Sequence, residues 1–411
     1  MPYGPRPVKS DAPVGQSKKG ATESINQVNF ARASKWHTEI SNTVTVGTLT
    51  ASSQILNLPL SSYGYLSGIF VTCSGTGGSN SGAVFFEDGP WSVLQQIQLS
   101  DVNGVPIFQM SGFHAMLAAK YGGYRLFPFD GVLNPYAAAA NRTQFGSSFF
   151  TCAAPGVSNS NSNFFFILPI WLEFGVDGLG CLPNMDASAR YNLQLTIAPA
   201  ASVNATTGPV YTTGPSTFPS LAVTVEVICR SQPPQQDMFG NINSVAPPAV
   251  GTVQYWTTQT APGLALGANT IQLTRVGNLI RNQIFVWRNS NGTRTSAEST
   301  GPGAADVPGI FEYDWDAGQR YTMNLTSLRA MNGYMVYGMD TYPGVLQLPN
   351  TLDPDKIAVS EYGDEWLGTV GATKLTLRYT NATGGGSLSI LTNDIVPASS
   401  SVYKAASMSN R

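Results

Sequence analysis

The chain has 411 residues, 42% of them hydrophobic, with a formal net charge of −2 and only 11% charged residues, where about 25% is usual. That length allows two to four domains and at least one large core, and so small a net charge excludes a global field that would draw nucleic acid or an anionic membrane. A surface this poor in charge suits a protein that spends it on contacts with copies of itself, or a secreted adhesin or lectin.

In chain order, residues 1–40 read as a flexible arm rich in Pro, Gly, Ser and Lys. Before Trp36 it carries Arg6, Lys9, Lys18, Lys19, Arg32 and Lys35 against Asp11 and Glu23. No apolar h-region opens the chain and no stretch approaches 18 uncharged apolar residues, so neither a signal peptide nor a membrane span is expected.

Residues 41–232 then read as strands: "TVTVGTLT", "YGYLSGIFVTCSG", "AVFFE", "VLQQIQLS" and "VPIFQM". The last two are joined by Asp101-Val-Asn-Gly104, whose Asn-Gly pair is expected to supply the positive φ values of a tight hairpin. "SGFHAMLAAKYGG" is a helix capped by Ser111 and ended by Gly122, with Phe113, Met116, Leu117 and Tyr121 on one face. "NFFFILPIWLEF", "RYNLQLTIAP" and "SLAVTVEVICR" complete this half.

A Pro-rich break, residues 233–252, marks a domain boundary. Residues 253–397 repeat the style, with "VQYWTTQT", "NTIQLT", "NQIFVWRN" and "KLTLRYT" as strands, a helix ending near Gly333, and a polar tail over 398–411. The halves echo each other: strands, a helix, then further strands after a long loop. Two copies of one β module with a helix inserted at the same place would give this. Many short strands between Gly/Pro loops, without βαβ alternation, predict an all-β chain of two consecutive eight-stranded jelly rolls with short inserted helices and a flexible N-terminal arm.

Chemistry is harder to find. Carboxylate groups that could flank a glycosidic bond are Glu87 with Asp88, Glu173 with Asp177, Glu312 with Asp314 and Asp316, and Glu361 with Asp364 and Glu365. At strand ends and turns the plainer role of such acids is to solvate the chain. His114 has no nucleophile elbow to serve and reads as a packed structural histidine; His37 has no partner by spacing. Cys73, Cys152, Cys181 and Cys229 form no close ligand pairs, so buried free thiols are expected and no metal site or cofactor. The glycine runs lack P-loop chemistry, and no catalytic residue is assigned. Arg6, Lys9, Lys18 and Lys19 remain as a candidate patch for a membrane or a neighbouring subunit, each worth about 1 kcal/mol near an anionic leaflet.

One segment carries a resemblance. "FFEDGPWSVLQQIQLSDVNGVPIFQMSGFHAMLAAKYGG" is similar to the first-barrel segment of the double jelly-roll major capsid proteins of tectiviruses. An Asp-x-Gly-Pro corner (Asp88, Gly89, Pro90) leads to a strand, the Asp101–Gly104 turn, a second strand, and Ser111, Gly112, Phe113 and His114 opening a helix. "ILPIWLEFGVDGLGCLPNMDASARYNLQLTI" resembles a later strand–loop–strand of that family. The likeness is best over residues 85–230, weaker to 396, and absent from the arm. It implies a coat protein of a tailless icosahedral double-stranded DNA phage with an internal membrane. Pseudo-hexagonal homotrimers would tile the shell, beside minor and vertex proteins, with the termini toward the membrane. A carbohydrate-binding or glycan-hydrolysing β protein, or a minor capsid or spike protein, is the alternative.

Overall fold

The computed structural model describes residues 30, 34–49, 52–122, 144–147, 150–153, 156, 161–174, 178–199, 210–231, 247, 251–294, 307–316, 318–331, 342, 344–349, 366–369 and 371–396. The first half contains β1 (Lys35–Thr48), β2 (Gln54–Pro59), β3 (Tyr65–Thr76), β4 (Val84–Phe85), β5 (Leu94–Ser100), β6 (Pro106–Met110), α1 (Gly112–Tyr121), β7 (Gln144–Ser147), β8 (Phe150–Ala153), β9 (Phe164–Trp171), β10 (Leu182–Pro183), β11 (Asn192–Ile197), β12 (Tyr211–Thr213) and β13 (Ser220–Ser231). The second contains β14 (Val253–Ala261), β15 (Gly267–Gln272), β16 (Leu279–Arg288), β17 (Ile310–Trp315), β18 (Gly318–Asn324), α2 (Leu325–Met331), β19 (Val345–Pro349), β20 (Leu367–Gly368), β21 (Leu375–Asn381) and β22 (Ser387–Val396).

Each half is a jelly roll of two packed sheets. In the first, β1-β13-β3-β9, extended by β8 and β7, packs on β2-β11-β5-β6. Alternation along these strands sends Ile69 and Val71, Ile97 and Leu99, Leu193 and Leu195, and Val223 and Val225 into one core. In the second, β14-β22-β16-β19 packs on β15-β21-β17-β18 around Phe285, Trp287, Phe311, Tyr313, Leu377 and Ile390.

The echo between the halves is a structural repeat. Strand order is the same in both barrels, so β1 corresponds to β14, β3 to β16, β6 to β18 and β13 to β22. The ladder slips by one residue at the same place: Ser67 is the extra residue in β3 and Arg281 in β16. A two-residue strand covers the start of each, β10 on Tyr65 and Leu66, β20 on Leu279 and Ile280. A helix follows the equivalent strands β6 and β18. Ser111 Oγ caps α1 by accepting from His114 N at 3.2 Å, and Asn324 Oδ1 caps α2 by accepting from Ser327 N at 3.2 Å.

Three local expectations are corrected. The Asp101–Gly104 connection uses one positive φ, at Gly104, not two. Asp101 O accepts from Gly104 N at 3.0 Å and Asp101 Oδ1 from Val105 N at 2.7 Å, so the aspartate side chain organises a longer loop and the ladder shifts at Ser100. All ten residues of α1 are buried, not one face, because α1 is enclosed by its own barrel and by the second. Ala115, Ala118 and Ala119 let neighbours approach on the sides that would otherwise be solvated. Finally, β1 begins at Lys35, inside the stretch assigned to the arm, because backbone pairing continues down to Lys35 opposite Ser231 where no apolar alternation marks it. The rest of the arm except Phe30 and Ser34, nearly all of the 233–252 linker, Gly333 and the 398–411 tail lie outside the described residues.

Candidate functional site: the seam between the barrels

The barrels are joined edge to edge. β6 and β14 pair in parallel, Phe108 with Trp256 and Gln109 with Thr257, which makes one nine-stranded sheet through both barrels. Phe108 and Trp256 belong to the first barrel's apolar core, which continues through them to Ile284, Val286 and Leu391 of the second. Beside that apolar contact lies a group of buried polar side chains. Gln254 Nε2 donates to Trp171 O and Leu172 O at 2.7 and 2.9 Å. Asn393 Nδ2 donates to Gln254 Oε1 at 3.1 Å, and Arg281 Nε to Asn393 Oδ1 at 2.6 Å. Asn282 Nδ2 reaches the carbonyl at the end of α1, Tyr121 O, at 2.6 Å, and Gln347 Nε2 bonds Asn282 Oδ1 at 3.1 Å. These side chains are fully buried. Buried hydrogen bonds of this kind fix one relative placement, because any shift leaves polar groups unpaired.

At one end of the seam stands the acid pair. The corner after β4 carries Glu87 and Asp88 and continues through Gly89 and a cis Pro90 to a buried Trp91. Asp88 is 2% exposed. Its carboxylate pairs with Arg288 Nη2, and Arg294 Nε lies 3.0 Å from Oδ1 as an ion pair without hydrogen-bond alignment. Glu87 Oε1 accepts from Arg294 N and lies 3.6 Å from both arginines. The guanidinium groups stack over Phe113 of α1 at 5.8 and 5.1 Å, and Arg294 over Tyr342 at 5.2 Å. Burial pushes the Glu87 carboxyl up, against the pull of Arg294. The acid pair that could have been catalytic is thus the first barrel's half of a four-charge clamp on the second.

Glu173 forms a buried two-pronged pair with Arg230, 2.5 and 2.8 Å, which Ser34 and Cys181 extend and over which Trp36 lies at 5.0 Å. Asp314 pairs with Arg378 at 2.8 Å. Asp316, at φ 50°, accepts from Thr373 and Lys374 in a tight turn, and Glu312 sits opposite Arg378 in the ladder. Asp177, Glu361, Asp364 and Glu365 lie outside the described residues, as do Arg6, Lys9, Lys18 and Lys19. No candidate carboxylate among the described residues is brought to a second carboxylate across a cleft; each described one except Glu312 has an arginine or backbone amides on it.

His114 is buried, and desolvation, then the charge of Arg288, lowers it to about 3, so it is neutral and fixed near pH 7. His37 is exposed on β1 with its ring 5.3 Å from Tyr63. The four cysteines are buried free thiols; burial raises all four, Cys229 to about 11 and Cys152 to about 12. No group of three or more His, Cys, Asp or Glu among the described residues could hold a metal ion. The partners that sequence reasoning missed are Arg281, Asn282, Arg288 and Arg294. For the first three the signal was polar residues in an otherwise apolar strand, "LIRNQIFVWR"; Arg294 lies beyond that strand.

No protein-family profile matches the chain, and no curated protein matches it in sequence. Solved structures do match. A chain of Sulfolobus turreted icosahedral virus superposes with a TM-score of 0.55 at 13% identity, covering 91% of this chain and 97% of its own. The PBCV-1 virus capsid gives 0.54 at 14%, covering 90% and 96%. Major capsid protein P2 of bacteriophage PM2 gives 0.50 at 10%, covering 88% and 97%. Across nearly its whole length, the chain has the double jelly-roll fold of viral major capsid proteins.

Proposed function

We propose that the chain is the major capsid protein of a tailless icosahedral double-stranded DNA bacteriophage with an internal membrane. It would act by assembly and not by turnover, as pseudo-hexagonal homotrimers that tile the shell, made in the host bacterial cytoplasm and resident in the virion. The observation that carries this reading is the locked pair of jelly rolls of one strand order, a fold shared over nearly the full length of capsid proteins that differ almost everywhere in sequence. Two barrels held at one fixed placement are a building block; few charges leave the lateral surface free to become interface. Pairing of Glu173, Asp88 and Asp314 with arginines speaks against the carbohydrate-hydrolysing alternative.

One end of the molecule suits the membrane side. β1 starts and β22 finishes at the same end. Trp36, Tyr63, Val102, Val105 and Met185 are exposed there, and Arg6, Lys9, Lys18 and Lys19 precede β1 in the sequence. Amphipathic aromatic groups with basic residues nearby favour an anionic leaflet. Minor and vertex proteins would be further partners in the shell.

Light scattering and negative-stain microscopy of the purified chain test the reading: stable pseudo-hexagonal trimers are expected, and a monomer at micromolar concentration would overturn it. Copy number per particle separates a major from a minor coat protein. Deleting residues 1–29, which spares Phe30 where it packs on Tyr65, should abolish binding to phosphatidylglycerol vesicles and leave trimers intact. Unchanged vesicle binding would remove the membrane role of the arm.

A further inference from the structure

Among the described residues, the internal repeat leaves β1 and β18 at the ends of their sheets, where their counterparts β14 and β6 pair with each other. Within the chain, the outer edge of β6 in the first barrel pairs with the outer edge of β14 in the second. The strand equivalent to β14 is β1, and the strand equivalent to β6 is β18. Among the described residues both end their sheets: β1 closes the order β1-β13-β3-β9, and β18 closes β15-β21-β17-β18. We infer that copies of this chain join head to tail by parallel pairing of β18 of one copy with β1 of the next, in the register that β6 and β14 use internally. The inference rests on the coat-protein reading above and names the surface by which such a protein would meet its own copies.

Exposure supports it. Lys35 to Ile40 are exposed without exception, with Trp36 at 47% and Ile40 at 62%, whereas Gln254 and Trp256 on β14 are 2% exposed because the seam covers them. β1 is 14 residues long and contains no proline. A long edge of that kind is a template for another strand unless something covers it. The two open edges differ, so the contact is heterologous: each copy offers one edge and takes the other, and a closed ring of three copies sets six barrels around one axis.

The repeat also fixes the register. The equivalent caps Ser111 and Asn324 place Tyr321 where Phe108 stands and Thr322 where Gln109 stands. The equivalent slips at Ser67 and Arg281 place Thr38 where Trp256 stands and Glu39 where Thr257 stands. Thr38 of one copy therefore faces Tyr321 of the next, and Glu39 faces Thr322. Paired strands lie about 4.8 Å apart, inside the Cα separation of about 4.4–6.8 Å that a disulfide spans.

The test is a Glu39→Cys/Thr322→Cys chain, whose four native thiols are buried, oxidised mildly and run on a non-reducing gel. Covalent dimers and closed covalent trimers are expected. Glu39→Cys chains mixed and assembled with Thr322→Cys chains should stop at covalent dimers, and either single variant alone should stay uncrosslinked. Should the pair disturb folding, seen as loss of trimers under reducing conditions, the adjacent Thr38→Cys/Tyr321→Cys pair tests the same register. Trimers in solution with no interchain disulfide in either pair would overturn the edge pairing while leaving the coat-protein reading in place. Absence of trimers in the unmodified chain would remove both.

Discussion

Asp88→Asn is the sharpest test of how the barrels are locked. The substitution keeps the shape and removes one charge from a cluster of two acids and two arginines. Asp88 is almost wholly buried, its side chain at 3% exposure, and its partners Arg288 and Arg294 are at 15% and 8%. After the change only Glu87 faces the guanidinium groups, at 3.6 Å and with 28% of its side chain exposed. Removing one member of a buried pair costs about 3–5 kcal/mol, chiefly because the other is left uncompensated. The cluster keeps one acid, so the lower end applies: about 3 kcal/mol, read as a shift in the urea midpoint followed by tryptophan fluorescence. In an Asp88→Asn/Arg288→Met double variant the loss should fall well short of the sum of the single losses, since the orphaned charge goes with its partner. A cost below about 1 kcal/mol, the range of exposed pairs, would refute the clamp as a stabilising contact.

Acid should weaken the seam through His114. Its folded value near 3 lies below the ordinary imidazole value of 6.5, so the stability it contributes is present above 6.5 and is lost as pH falls toward 3. At pH 5 that amounts to about 2 kcal/mol, and a His114→Asn chain should show a flatter pH profile between 6.5 and 4; parallel profiles would contradict this. Gly112→Ala would bring a methyl carbon to 2.1 Å from Trp91 O at the start of α1, and a loss of about 2–3 kcal/mol is expected in the same unfolding assay. Asn282→Ala leaves Tyr121 O and Gln347 short of a partner and should cost about 1–3 kcal/mol. A thiol reagent at pH 8 should label none of the four cysteines in the native protein and all four after denaturation, since burial both shields and protonates them; labelling in the native state would count against the packing described.

The sequence by itself determined the β class, the division into two halves and the helix in each. Strand alternation, turn glycines and the Ser111 cap are local signals, and they act over a few residues. "EDGPWSVLQQIQLSDVNG" shows where that reach ends. Its corner, strand and loop were legible, but the loop's single positive φ depended on Asp101 Oδ1, and the destiny of Glu87 and Asp88 depended on arginines some 200 positions away. The same holds for α1, whose apolar face was readable while its complete burial waited on a second barrel. Arg281 and Asn282 stand in an otherwise apolar strand, and their partners are found only at the seam. Periodicity records which face of an element is turned from water. It carries no record of which distant element does the turning, and that pairing, set by long-range register and buried polar complementarity, was decided by the tertiary structure alone.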